Sequence, residues 1–178
     1  RKFVKGSGKR LIAVVTVLTA LISTIVNNGV AQVVLIAMVL SMFSAMGDPE
    51  PGTSNLCKGV ILGVCVGSQT GGLAMPCSNA VNAVLMDLSE SIGGQPMSFL
   101  QWSVFGIPTA IIVTAFACWL IPFMVKPEPI SPEQMAGMEK SFEKIPHHLE
   151  RNDILFLVAI GGMIIAWISG TWIKTLDI

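Results

Sequence analysis

An apolar run from Leu11 to Met46 is interrupted near its middle by Asn27-Asn28-Gly29. Asn and Gly favour turns, and a backbone that leaves the helix inside a bilayer must be covered by protein or line a cavity. A second break, Ser78-Asn79-Ala80-Val81-Asn82, follows Pro76 inside the apolar segment 59–86. We interpret the two breaks as halves of one polar pocket.

The composition predicts an integral membrane protein. Of the 178 residues, 52% are hydrophobic and only 12% are charged, whereas soluble domains carry about 25% charged residues. The net charge is zero, and the basic residues 1–10 directly precede an apolar run, so no nucleic-acid partner is expected. Because the chain begins at Arg1 and ends just after an apolar span, we expect 1–178 to be a single membrane-domain fragment of a longer protein.

The distribution of basic residues determines the predicted topology. Residues 11–26 and 30–46, at about 24–26 Å each as helices, are short of the roughly 30 Å core of a bilayer, so they could form one long span, two thin spans or a hairpin. Five of the 11 Lys and Arg lie in 1–10, others lie in 47–58 and 126–153, and the loop 87–98 has none. A hairpin or a double crossing places every basic segment in the cytoplasm, whereas a single crossing does not.

We therefore predict an all-α, multi-pass protein of the inner or plasma membrane, with residues 1–10 and 126–152 in the cytoplasm. The predicted elements are a re-entrant hairpin (11–46), a broken transmembrane helix (57–88), a transmembrane helix (99–125), an amphipathic cytoplasmic connector (126–152) and a last transmembrane helix (153–173).

Two further patterns predict how these elements are built. Gly59, Gly63, Gly67 and Gly71 recur every four residues, a spacing that lets another helix approach closely in lipid. In the connector, Ser131-Pro132-Glu133-Gln134 is typical of a helix start, and Met135, Met138, Phe142 and Ile145 share one face. Trp102 is expected in the interfacial aromatic belt.

The polar side chains of the apolar segments are all neutral. Hydroxyl, amide and free carbonyl oxygens suit an alkali cation, and the starts of helices resuming at Val30 and Ala83 suit an anion. No clustered His, acid pair or activated nucleophile is present, so we expect neither an enzyme nor a bound cofactor. The alternative is a scaffold in which the amides join helices. The polar residues concerned are Ser23, Thr24, Asn27, Asn28, Gln32, Ser68, Gln69, Thr70, Ser78, Asn79 and Asn82.

Three stretches resemble the divalent anion:sodium symporters, the di- and tricarboxylate carriers of the ion transporter superfamily. Residues 19–29 fall where that family has an apolar run, a Ser and a Ser-Asn-Thr hairpin tip. Residues 71–82 (GGLAMPCSNAVN) are similar to its Gly-Gly-Ile-Gly-Thr-Pro-Ile-Gly-Thr-Pro-Pro-Asn, and residues 98–108 look like its Ser-Phe-Leu-x-Trp-x-x-x-Gly-x-Pro. The chain would be most of the first inverted repeat, the connector and the start of the second repeat.

The resemblance implies an elevator-type symporter, a homodimer in the full-length protein, in which sodium is the coupling ion and a small organic anion is the substrate. Asn28 and Asn82 match the Asn of each motif, whereas Gly29 replaces a Thr and Ala80-Val81 replaces Pro-Pro. These departures leave the anion open, and an antiporter or exporter of the same superfamily is a further alternative. The residues implied for sodium are Ser23, Asn27, Asn28 and Ser78, and those implied for the substrate are Asn28, Gly29, Asn79 and Asn82.

Overall fold

The computed structural model describes residues 6–47, 53–95, 97–143 and 151–173. These residues form α-helices joined by short connections, with one 3-10 turn and no strand, so the predicted all-helical class is confirmed. The elements are α1 (Gly8–Ser23), α2 (Asn28–Ala45), α3 (Asn55–Gly71), a 3-10 turn (Pro76–Ser78), α4 (Ala80–Ser91), α5 (Phe99–Val125), α6 (Pro132–Glu143) and α7 (Arg151–Ile173).

The predicted row of glycines in α3 packs directly against α1. We call this row, Gly59, Gly63, Gly67 and Gly71, the glycine stripe. A Cβ on Gly63 would lie 2.6 Å from Thr16 Oγ1, and a Cβ on Gly67 would lie 2.5 Å from the Thr16 carbonyl oxygen. Gly59 faces Ile12 in the same way, and Gly71 faces the backbone of Ala20. Because the contacts advance together along both chains, α1 and α3 run parallel, and only glycine leaves room for this approach.

The helices α2 and α5 run antiparallel to this pair. Asn28 and Gln32 of α2 hydrogen-bond to Gln69 and Cys65 of α3 respectively, so α2 returns along α3. In α5, Thr114 Oγ1 donates to Thr70 Oγ1 at 2.8 Å, and Val125 lies beside Gly59 near the start of α3. The turn after α1 therefore lies at the same level as the end of α3.

Segments far apart in the chain gather at the opposite end of the bundle. Ile130 N donates to the Gly6 carbonyl oxygen at 3.0 Å. The Glu128 carboxylate accepts from Asn55 N at 3.2 Å and from Leu56 N at 2.9 Å. The described basic residues near these contacts lie in the segments that the charge pattern predicts to be on the cytoplasmic side of the membrane. The re-entrant placement of α1 and α2 in a bilayer stays a prediction.

The distribution of side chains in α5 is that of a helix in lipid. Most of its large apolar residues face outwards, with Phe105 71% and Ile112 68% exposed, although Ile121 is buried. Small or weakly polar residues are buried instead, at Ser103, Gly106, Ala110, Thr114 and Ala117. Within the described ranges, α2 and α5 are the helices long and apolar enough to cross a bilayer, with mean hydropathies of 1.8 and 2.2. This arrangement fits a membrane protein, because in water the exposed apolar face would be costly.

The connector helix α6 begins as predicted, and its apolar face packs against the bundle. Ser131 and Gln134 form the expected reciprocal cap, at 3.0 and 3.1 Å. Met138 is buried and Met135 packs beside it in a cluster that includes Phe43 of α2. The apolar face of the connector thus contacts protein over Met135 and Met138, whereas Ile145 lies outside the described residues.

We expect Gly67→Ala to destabilise the protein, because the new Cβ meets the backbone of Thr16 and must push α1 away from α3. A cost of about 1–3 kcal/mol is typical of overpacking. Thermal unfolding of the full-length protein in detergent measures it. Gly161→Ala is the matched control, since a Cβ there meets no atom of the described residues within 4 Å. Equal melting temperatures for the two variants would contradict the proposed role of the stripe.

Glu128 gives a pH-dependent contribution to stability. Hydrogen bonds from its own backbone N–H and from Leu56 and Asn55, together with nearby Lys58, outweigh desolvation and hold the pKa of this carboxyl below its ordinary value of 4.5. A lowered folded-state pKa stabilises the fold above the ordinary value, and the contribution is lost as pH falls through the lowered pKa.

We therefore expect Glu128→Gln to melt below the unchanged protein at pH 7 and the two melting temperatures to converge as pH falls below about 4.5. Glu90→Gln, which removes one carboxylate from α4, is the control for the loss of a negative charge at pH 7. A gap between Glu128→Gln and the unchanged protein that stays constant down to acid pH would contradict this role.

Candidate binding site

The turn that joins α1 to α2 lies against the break that joins α3 to α4. Ser23 Oγ donates to the Ser68 carbonyl oxygen at 2.7 Å, and Asn28 Nδ2 donates to Gln69 Oε1 at 2.8 Å. Ser78 Oγ donates to the carbonyl oxygen of Thr24. These hydrogen bonds bring the two polar stretches of the sequence together at one place.

Glycine at the end of α3 permits this approach. Gly72 is the residue that follows α3, and a Cβ there would lie 3.2 Å from the Cβ of Asn28. Any larger residue would therefore press against the first residue of α2. Gly71 thus allows the close contact of α3 with α1, and Gly72 allows the close contact with α2.

Each helix that resumes after a break is capped by an asparagine. Asn27 Oδ1 accepts from Gly29 N at 3.0 Å, and Asn79 Oδ1 accepts from Val81 N at 3.1 Å. The helices consequently resume at Asn28 and Ala80, earlier than the expected Val30 and Ala83. That expectation was wrong because the asparagines end the breaks as helix caps.

Side chains satisfy the carbonyl groups that the second break exposes. Asn82 Nδ2 donates to the carbonyl oxygens of Gly72 at 2.7 Å and Met75 at 3.0 Å. Trp102 Nε1 donates to the Leu73 carbonyl oxygen at 3.1 Å. Trp102 is thus joined to the break as well as lying near the start of α5, a contact that its expected place in the aromatic belt did not predict.

The candidate residues fall into a buried layer and an accessible layer. Ser23 and Ser78 are fully buried, and Asn82 is only 3% exposed, with both amide hydrogens committed to the break. Asn28 and Asn79 are half-buried, and Asn27 and Gly29 are exposed. Residues implied for sodium and for the substrate therefore occur in both layers, with Asn28 at the boundary.

Helix ends of opposite polarity meet at this place. The chain leaves α1 at Ser23 and α3 at Gly71, and it enters α2 at Asn28 and α4 at Ala80. Helix ends carry a partial negative charge where carbonyl groups are free and a partial positive charge where N–H groups are free. The arrangement therefore presents partial charges of both signs without a formally charged residue.

Gln69 was not assigned to the site from the sequence, although it orients Asn28. With Nδ2 of Asn28 bound to Gln69, its Oδ1 faces Gly29 N at 2.9 Å. Gln32 contacts the same region, because its Oε1 accepts from Ser68 Oγ at 3.3 Å. Both glutamines stood among the polar residues of the apolar segments, but their spacing along the chain gives no signal of these contacts.

We expect Asn82→Ala to destabilise the break by about 2–4 kcal/mol, because two buried carbonyl groups lose their donor. Hydrogen exchange across residues 72–79 and the melting temperature measure the effect. Asn79→Ala removes one helix cap and is the comparison, with an expected cost of about 1 kcal/mol. If Asn82→Ala cost no more than Asn79→Ala, Asn82 would not be holding the break in shape.

Residues 2–177 match a family model described as Citrate transporter. No curated protein matched the chain, and no solved structure matched it. The family match covers nearly the whole chain and agrees with the resemblance to the ion transporter superfamily given by the hairpin and break motifs. The chain belongs to the citrate transporter family.

Proposed function

We propose that the protein is a secondary active transporter that carries a small organic anion of the di- or tricarboxylate class together with sodium. One observation gives this proposal its main support. The capped starts of α2 and α4 and the ends of α1 and α3 lie together at one polar site in an apolar bundle. The family description, Citrate transporter, supports the anion class.

The anion is assigned to the starts of α2 and α4. Free N–H groups at a helix start bind carboxylate and phosphate groups well, because the hydrogen bonds and the helix dipole act together. Asn28, Gly29 and Asn79 form the accessible part of these starts. Two such starts suit an anion with more than one carboxylate. Asn82 is assigned the supporting role of holding the second break behind this surface.

Sodium is assigned to neutral side-chain oxygens where the turn after α1 meets the second break. Ser23 and Ser78 each use the hydroxyl hydrogen as a donor, so their oxygen lone pairs are available to a cation. The side-chain oxygens of Asn27 and Asn28 complete the proposed set. Neutral hydroxyl and amide oxygens suit an alkali cation, whereas a carried proton generally requires an ionisable side chain.

The two sites share Asn28, which gives a physical basis for coupling. A polyanion pays a large desolvation cost in a site of low dielectric, and an adjacent cation offsets part of that cost. Each ligand therefore raises the affinity for the other by the same factor. A sodium-loaded site would accept the anion more readily than an empty one, so the two move together.

We also propose that the parent protein is a homodimer, as the resemblance implies. The positive-inside rule places residues 1–10 and 126–152 in the cytoplasm. The membrane is assigned as the inner or plasma membrane. In this orientation the loop between α4 and α5 faces the outside.

The test is uptake of labelled citrate and succinate by the full-length protein in proteoliposomes. We expect uptake to require an inward sodium gradient and to fall to background when choline replaces sodium. Asn28→Ala should lower uptake at limiting substrate by about tenfold or more, because it removes a group shared by both sites. Asn55→Ala, an amide at the opposite end of the bundle, is the matched control and should retain transport.

The remaining outcomes separate the alternatives. Uptake that a proton gradient drives equally well without sodium would contradict sodium coupling, but it would still support transport of the anion. A folded protein that takes up neither anion would count against the substrate class. Loss of expression or assembly in Asn28→Ala, with no transport by the unchanged protein, would favour a scaffold.

A further inference from the structure

A groove separate from the helix breaks opens at the basic end of the bundle, between α1 and α5. Its volume is about 310 Å³, within the range of ligand sites. Its floor is a contact between the two helices, where Cys118 Sγ lies 3.7 Å from the Ala13 carbonyl oxygen. The walls are formed by Lys9, Arg10, Ala13, Trp119, Pro122 and Phe123.

One wall of this groove is cationic. Lys9 and Arg10 are both exposed in the first turn of α1. In the part of the chain that the structure describes, neither forms a side-chain hydrogen bond or an ion pair. Two adjacent positive charges are therefore available to an anionic group, and they lie at the end of the bundle that also carries Lys126.

The other wall is aromatic. Phe116, Trp119 and Phe123 lie on one face of α5, with ring centroids 5.8 Å apart for the first pair and 5.7 Å for the second. Trp119 is 61% exposed and Phe123 is 65% exposed. An outward-facing tryptophan such as Trp119 is typical of the boundary between lipid headgroups and acyl chains, and the flanking phenylalanines extend the apolar wall.

The relative depth of the two walls identifies the kind of ligand. Trp119 precedes the charged end of α5 at Lys126 by seven residues, or about 10 Å along the helix. The groove thus leads from a cationic level into an apolar level of the membrane. A soluble anion would leave the aromatic wall without a role, and a neutral lipid would leave the two cations without one.

We propose that this groove binds an anionic phospholipid of the surrounding leaflet, with its phosphate at Lys9 and Arg10 and an acyl chain along Trp119 and Phe123. Basic pockets between transmembrane helices on the cytoplasmic side recognise lipid headgroups by this chemistry. The site is independent of the transported ligands, because Arg10 precedes Ser23 by thirteen residues, or about 20 Å along α1. The lipid would join α1 to α5 at their charged ends.

The test is titration of the purified full-length protein in detergent with phosphatidylglycerol that carries brominated acyl chains, which quench tryptophan fluorescence on contact. We expect saturable quenching at concentrations about tenfold lower than for brominated phosphatidylcholine. Trp119→Phe should remove this saturable component, which places the lipid in the groove. The double variant Lys9→Gln/Arg10→Gln should bind phosphatidylglycerol about tenfold more weakly, whereas Lys126→Gln, a cation outside the groove, should bind it normally.

Three results would overturn the proposal. These are equal binding of the two lipids, undiminished binding by the Lys9→Gln/Arg10→Gln variant, and displacement of the lipid by millimolar glycerol phosphate, which would make the groove a site for soluble phosphate. If the double variant does not fold, quenching is measured in Phe123→Ala instead. Weaker quenching with both cations present supports the lipid, and unchanged quenching rejects it.

Discussion

The close approach of α1 to α3 determines where the polar residues of this protein meet. In lipid, apolar side chains gain little by leaving one apolar surface for another, so helices associate through packing and hydrogen bonds. The glycine stripe lets the backbone of α1 rest on α3, in parallel and in one register. That register brings the end of α1 level with the end of α3, and the contacts Ser23–Ser68 and Asn28–Gln69 follow from it.

The second requirement is that each interrupted helix satisfies its own free backbone groups. An unpaired carbonyl or N–H group costs several kcal/mol in hydrocarbon, on the order of a whole folding margin when several are exposed. Neutral side chains meet this need here, with Asn27 and Asn79 as caps and Asn82 and Trp102 as donors to the second break. The residue types that make the breaks possible are thus also the types that bind ions and carboxylates.

Much of this architecture follows from local sequence patterns, and the remainder depends on contacts that no local pattern encodes. The range of α5, the glycine stripe and the Ser131–Gln134 cap were predictable because each rests on spacing within one helix. The starts of α2 and α4 were placed too late, since Asn both forms turns and caps helices. The bond from Trp102 to Leu73 and the packing of Met138 against α2 are long-range. An apolar face on α6 fits a protein surface as well as a membrane surface, so the sequence pattern does not distinguish the two.

The neutrality of the two breaks has a consequence for how the protein responds to acidity. Residues 23–28 and 68–79 contain no Asp, Glu, His, Lys or Arg. The electrostatic character of this surface is therefore fixed by backbone geometry, and it stays constant while the surrounding medium changes. A carboxylate ligand, by contrast, changes its own charge over that range. Any pH dependence of binding such a ligand would then come from the protonation of the ligand, because the charge of the protein surface does not change.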